Sequence, residues 1–264
     1  AITSTILQAF HEVGASTEEI NQIRKWILLM KQSNDWGSSS LAADAVCALL
    51  STGSQWLEQS EKPNITIDGE QVDFSHIDEY VGYCRKTIPV KSGATLKIQR
   101  EGASPAWGAI YCQYSAPAAA IEQSSITEMS IRKEYFVYAD DGSLTPVDNH
   151  QFHVGDKVQV RMVMKVNKDL DFVTVSDERG ACFEPKDQTS GYRAMDGIYY
   201  FMETKDALTN LFFSALPKGT HIVSYDTYVT TEGTFSAGIA TAQCQYAPQI
   251  SAHSAGAKIT VSPR

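Results

Sequence analysis

From Thr3 to Gly53 the apolar positions keep the period of an α-helix. Ile6, Leu7, Phe10 and Val13 share one face and stop at Gly14. Ser16 with Glu19 forms a capping box, which opens a second helix carrying Ile20, Ile23, Ile27 and Met30. After a turn at Ser33-Asn34-Asp35-Trp36-Gly37, a third helix enters through Ser38-Ser39, presents Leu41, Ala42, Ala45, Val46, Leu49 and Leu50, and stops at Gly53. Short links make the three antiparallel neighbours. Helices this short cover only part of each other's apolar faces, so the pattern predicts the tail of a larger helical assembly.

Beyond Gln55 the period shortens to two. Ile65 to Phe74 alternates about Asp68-Gly69, a two-residue hairpin signal, and Val81 to Ile88, Ala94 to Gln99 and Ala106 to Tyr114 add strands with no helix between them. Ser115-Ala116-Pro117-Ala118-Ala119-Ala120 breaks the pattern as a small, flexible linker. In a second β block, from Ile126 to Val261, Val158, Val160, Met162, Met164 and Val166 alternate with Lys157, Gln159, Arg161 and Lys165, giving one buried and one wet face. Phe172 to Ser176, Ile198 to Met202, Leu211 to Ala215, Ile222 to Val229, Phe235 to Gln243 and Lys258 to Val261 read likewise as strands. The fold class is therefore α+β: a short α-helical segment over residues 1–57, an antiparallel β module over 58–120 and a C-terminal β-sandwich over 121–264.

Composition narrows the function classes. With 43% hydrophobic and 20% charged residues the chain should fold, and its net charge of −9 disfavours nucleic acid as a partner. No apolar run approaches the ~20 residues that span a bilayer, so no membrane contact is expected. The start Ala1-Ile2-Thr3 reads as that of an excised internal piece. Cys47, Cys84, Cys112, Cys182 and Cys244 form no CxxC pair and read as small buried hydrophobes. Phosphate-cradling glycine motifs, a GxSxG elbow and an HExxH are absent, so no catalytic residue, metal set or cofactor is assigned. His150 and His153 read as a surface pair in a loop, since a metal pair would need a carboxylate from elsewhere. Asp169 and Asp171 flank a hairpin turn. With Asp177 and Glu178 they have the chemistry of an oxygen-ligand or acid/base set, but the turn residues Asn167-Lys168-Asp169 favour a solvated tip.

The junction Gln32-Ser33-Asn34-Asp35-Trp36-Gly37, followed by an Ala-rich helix, resembles the helix junctions of α/α toroids, where an indole caps a helix end and a side-chain amide ties adjacent turns. A longer series of matches is similar to the bacterial alpha-2-macroglobulin family. Trp26-Ile27-Leu28-Leu29-Met30-Lys31-Gln32 and Ala43-Asp44-Ala45-Val46-Cys47-Ala48-Leu49-Leu50 resemble the last helices of its thioester domain. Trp107-Gly108-Ala109-Ile110-Tyr111 resembles the closing strand of the CUB-like β module that follows. Val154-Gly155-Asp156-Lys157-Val158, Asp177-Glu178-Arg179-Gly180-Ala181-Cys182-Phe183-Glu184-Pro185, Ser190-Gly191-Tyr192, Leu216-Pro217-Lys218-Gly219-Thr220, Gly238-Ile239-Ala240-Thr241 and Tyr246-Ala247-Pro248 resemble the C-terminal macroglobulin-like domain. The resemblance covers nearly the whole chain.

What it implies is an endopeptidase inhibitor of the periplasm or cell envelope, a protease trap in which a bait segment is cut and the protease is caged or bound through a Cys-Gln thioester. Its partners would be proteases, through the full-length parent, and the rest of the parent chain. The Cys-x-Glu-Gln run is not in this chain: Ala120-Ile121-Glu122-Gln123 lacks the thiol. This part is then structural and regulatory, not an enzyme. In the bacterial relatives a Met-Tyr pair before Ala-Pro covers the thioester, and the matching positions here are Gln245 and Tyr246, the thioester-lock loop by resemblance. The polar residue in place of Met weakens the lock or fits a parent with no thioester, and Tyr246 also reads as a plain aromatic at a strand end. Two other classes stand beside this one. A toroid glycosidase or cyclase fragment with a binding sandwich would draw on Glu12, Glu18, Glu19, Asp35 and Asp44; a glycan-binding or adhesion β-sandwich would use Tyr192, Tyr199, Tyr200 and Phe201.

Overall fold

The computed structural model describes residues 2–53, 63–74, 77–78, 83–101, 108–195 and 197–264, which fall into two compact units. The first comprises Ala1–Leu28 and Gly37–Gly108, the second Leu29–Trp36 and Ala109–Arg264. The helices are α1 (Ile2–Glu12), α2 (Thr17–Ser33), whose last turns belong to the second unit, and α3 (Ser39–Thr52).

The start of α2 follows from the capping box: the Glu19 amide donates to Ser16 Oγ at 3.3 Å, and the Ser16 amide donates back to Glu19 Oε2 at 3.0 Å. Ser38 caps α3 by accepting from the Leu41 amide at 3.3 Å. In the first unit α1 packs on α3, and Leu7, Ile20, Ile27, Ala45, Ala48 and Leu49 are buried, with the Arg24 guanidinium donating to Thr52 Oγ1. Ile6, Phe10, Val13, Val46 and Leu50 stay exposed, the partial coverage that the periodicity predicts.

The unit's β part is a three-stranded antiparallel sheet of β1 (Asn64–Ile67), β2 (Glu70–Gln71) and, beyond the short pair β3 (Ile77–Asp78) and β4 (Tyr83–Cys84), β5 (Leu96–Gln99). Asp68 and Gly69 both take positive φ, 50° and 87°, the mirror-image turn that matches strand twist in a two-residue hairpin. The expected strand at Ala106–Tyr114 is not formed over Gly108–Tyr114, which has no regular structure. Val81, Ala106 and Trp107 lie outside the described residues, as does the expected boundary at 57/58.

The second unit contains β6 (Met129–Tyr138), β7 (Leu144–Pro146), β8 (Gln151–His153), β9 (Lys157–Val166), β10 (Leu170–Glu178), β11 (Phe183–Pro185) and β12 (Gly191–Met195). It continues with β13 (Ile198–Thr204), β14 (Leu208–Leu216), β15 (Gly219–Val229), β16 (Gly233–Ala237), β17 (Ala240–Cys244), β18 (Ala247–His253) and β19 (Ala257–Ser262). One sheet has the order β12-β13-β14-β10-β17-β18, the other β11-β15-β9-β6-β7, and β16-β19-β8 makes a third. All pair antiparallel except β19 with β8. The two large sheets enclose one apolar core, including Met129, Ile131, Val158, Met162, Met164, Val175, Leu211, Phe213 and Val223.

Two expectations need correction. Phe235 to Gln243 is two strands in different sheets, because Gly238 breaks the run: a Cβ there would overlap Glu178. The linker at Ser115–Ala120 is not free, since Ala118–Ala120 forms a 3-10 turn against β16 and β19. Small residues are needed here because Gly256 approaches the Ala118 carbonyl so closely that a Cβ would collide with it.

Candidate functional site

Gln245 and Tyr246 are the two-residue tip of the β17–β18 hairpin, where the register shifts between Gln243 and Cys244. Such irregularities re-aim side chains next to working surfaces. The Tyr246 ring is 70% exposed and meets the Phe172 ring edge-on, with centroids 5.2 Å apart. Gln245 beside it is exposed too, but it is tethered. Its amide donates to the Phe172 carbonyl at 2.9 Å and its Nε2 donates to Thr174 Oγ1 at 2.6 Å, so this residue ties the tip down onto β10. Beneath the tip, burial pushes the Cys244 thiol up to about 11, which keeps it protonated and unreactive at neutral pH.

The β9–β10 turn lies alongside. Asp169 accepts from the Lys218 amide through Oδ1 at 2.8 Å and from Asn34 Nδ2 through its carbonyl at 3.0 Å. Asp171 Oδ2 accepts from the Asp35 amide at 2.7 Å, and Gln249 Nε2 donates to Gln32 Oε1 at 3.1 Å. Thus the junction Gln32–Trp36 is used, but not as expected. The Gln32 amide ties to β18 and not to an adjacent helical turn, and the Trp36 ring takes Lys31 Nζ at 5.6 Å.

The four carboxylates weighed together do not converge. Asp169 and Asp171 sit at the start of β10, whereas Asp177, near its far end, is no part of a solvated tip: it is fully buried, pairs with Lys133 Nζ at 2.6 Å and accepts from Tyr225 OH at 2.6 Å. Burial alone would lower the Lys133 ammonium, but the Asp177 charge lifts it well above the ordinary lysine range, and burial raises the Tyr225 phenol. Sequence reasoning missed Lys133, although an inward place in β6, between Ile131 and Tyr135, marks it for a buried partner.

Among the described residues no three His, Cys, Asp or Glu side chains gather to hold a metal. His150 is half-buried, edge-on to the Tyr135 ring at 5.6 Å, so it is not half of a surface pair; burial lowers its pKa. Cys182 and Cys244 are buried as expected, but Cys47 and Cys112 are exposed, Cys47 beside exposed Val46 on α3. Glu122-Gln123 is structural, Gln123 Nε2 donating to the Ile131 carbonyl at 3.1 Å. Of the aromatics weighed as a glycan surface, Tyr200 is buried against Phe213, Tyr199 is exposed, and Tyr192 and Phe201 pair in register; Phe212, not among those weighed, continues their row across the outer face of the six-stranded sheet. No helix among the described residues is long and apolar enough to cross a membrane.

Comparison with known proteins places this geometry. Residues 129–249 match the family described as the bacterial alpha-2-macroglobulin MG10 domain. No curated protein sequence matches the chain. In structure, 99% of the chain superposes on 23% of Escherichia coli alpha-2-macroglobulin activated by porcine elastase, at a TM-score of 0.51 and 15% identity. The trypsin-activated E. coli protein gives the same score at 14% identity, over 18% of its length. At such identities the likeness is one of fold, and the chain spans less than a quarter of either structure. The strands from β6 through β17 and the first residues of β18, with the Gln245–Tyr246 tip, are the region that matches the bacterial alpha-2-macroglobulin MG10 family.

Proposed function

We propose that the chain serves as a structural and regulatory part of a protease-trapping inhibitor, with the Gln245–Tyr246 tip as the lock over a thioester supplied elsewhere in the parent. The observation that carries this reading is the display of Tyr246. An aromatic kept for packing would be sunk in the core, yet this ring is 70% exposed and propped from one side by Phe172. An apolar ring face held there would exclude water from a reactive acyl carbon. Gln245 supplies anchorage through Thr174 and not shielding, which explains how a polar residue is accommodated at this position. The elastase- and trypsin-activated forms of the structurally similar proteins support proteases as partners of the parent. We place the parent in the periplasm or cell envelope, to be checked by cell fractionation, and read the chain as residues 1–57, 58–120 and 121–264, a toroid end, a CUB-like module and the macroglobulin-like sandwich.

The test is Tyr246→Ala in the full-length parent. Spontaneous thioester hydrolysis should speed up and protease conjugation weaken, with the melting temperature nearly unchanged. A lowered melting temperature with conjugation intact would instead make Tyr246 a packing residue and defeat the lock.

The chain is also read as non-catalytic. Asp169 and Asp171 are occupied by backbone amides, Asp177 by Lys133 and Tyr225, and Glu19 by its capping box. Screening against peptide, ester and glycoside substrates should show no turnover; hydrolysis abolished by Asp169→Asn or Asp171→Asn would overturn this. The row Tyr192, Phe201, Phe212 favours one second reading, a glycan-binding face, which retardation of the chain in polysaccharide gels would support.

A further inference from the structure

We infer that Phe172 is the positioning residue of the Gln245–Tyr246 tip: its left-handed backbone and its ring together set where the Tyr246 ring points. The inference deepens the reading of Tyr246 as the displayed residue of this hairpin and rests on it.

Phe172 has φ 55°, in a region that side chains with a Cβ rarely occupy and bulky aromatics least of all. Among the described residues Asp68 and His150 share this property, but Asp68 sits in a tight hairpin turn and both carry polar side chains, for which the conformation is commoner. Phe172 lies inside β10, between the register pairs Asp171↔Ala215 and Val173↔Phe213, and has no register partner itself. At this point the inward alternation skips a place on both strands. Leu170 and Val173 are buried with Asp171 and Phe172 between them, as Leu216 and Phe213 are on β14. A regular strand continuing back from Val173 would turn Asp171 inward. The left-handed residue lets two consecutive side chains leave the core on the same side, Asp171 to the Asp35 amide and Phe172 to the Tyr246 ring.

Core burial does not hold this conformation, because Phe172 is 38% exposed. Its contacts run to the tip instead. The Phe172 carbonyl accepts the Gln245 amide, its ring meets Tyr246 at an interplanar angle of 89°, and Thr174, the next outward residue on the strand, accepts the Gln245 side chain. Strain that persists where surrounding contacts over-determine it is the signature of a residue kept for position.

The experiment uses the 264-residue chain with Phe172→Gly, which accepts positive φ and has no ring, and Phe172→Tyr, which keeps both the ring and the strain. Tyr246 is followed by its ring proton shifts and by its nitration rate, read peptide by peptide. Phe172→Gly should melt no lower than the wild type, while the Tyr246 ring shifts move to solvent values and nitration rises severalfold. Phe172→Tyr should restore the wild-type pattern. Unchanged Tyr246 shifts in a folded Phe172→Gly chain would overturn the proposal, as would failure of Phe172→Tyr to rescue them. If Phe172→Gly does not fold, Phe172→Leu, which keeps an apolar side chain but no ring, must release Tyr246 or the proposal fails. None of these readouts involves a thioester or a protease. Intact conjugation after Tyr246→Ala would therefore refute the lock and leave the positioning measurable.

Discussion

Lys133 is held in the middle of the sandwich by one carboxylate and two carbonyls: Asp177 at 2.6 Å, Glu178 O at 2.8 Å and Gly238 O at 3.3 Å. Removing one partner of a buried pair strands the other, which costs about 3–5 kcal/mol. Lys133→Met should therefore lower the unfolding free energy by that order in denaturant titrations, and adding Asp177→Leu should recover much of it. The same group sets a pH limit. Lys133 has its folded pKa raised above the unfolded value, so its contribution is complete below pH ~10.4 and is lost as pH rises beyond it. Tyr225, raised by burial, acts with the same sign: the unfolded phenol ionises above pH ~10 while the folded one stays neutral. Stability should fall from about pH 10 upward, more steeply than one group accounts for, and Lys133→Met should flatten the profile.

Gly238 shows how one residue decides an element. Its place between β16 and β17 lets the chain pass against Glu178, and a Cβ would overlap both the side chain and the carbonyl of that residue. Gly238→Ala should destabilise the second unit by about 1–3 kcal/mol, the range for overpacking, read as a lowered melting temperature. At the helices the scale is smaller: Ser16→Ala removes one reciprocal cap and should cost about 1 kcal/mol of helix stability by thermal circular dichroism.

These two positions also mark what the sequence could tell. The capping box, the Ser38 cap and the Asp68-Gly69 turn involve residues a few places apart, so local chemistry gave them directly. Alternation gave the inward face of β9. It could not give the break at Gly238, because the obstacle, Glu178, is 60 residues away in the chain. The site divides the same way. Gln245 and Tyr246 were readable only through resemblance, and Phe172 not at all, since a left-handed aromatic in a strand leaves no trace in apolar pattern.

Across the whole chain, the large core cluster lies entirely between Met129 and Val261. A piece spanning residues 109–264 should therefore unfold in one cooperative transition by calorimetry, although it lacks the hydrogen bonds made by Gln32, Asn34 and Asp35. Non-cooperative melting of that piece would mean that the Leu29–Trp36 segment is needed for folding. The buried ammonium then takes on a mechanical meaning. Lys133 belongs to one large sheet and its carboxylate partner to the other, while Tyr225, from the first sheet, grips the same carboxylate. One sheet cannot glide over the other by even a residue pair without baring that charge to hydrocarbon. Sliding is thus the stiff coordinate of the domain.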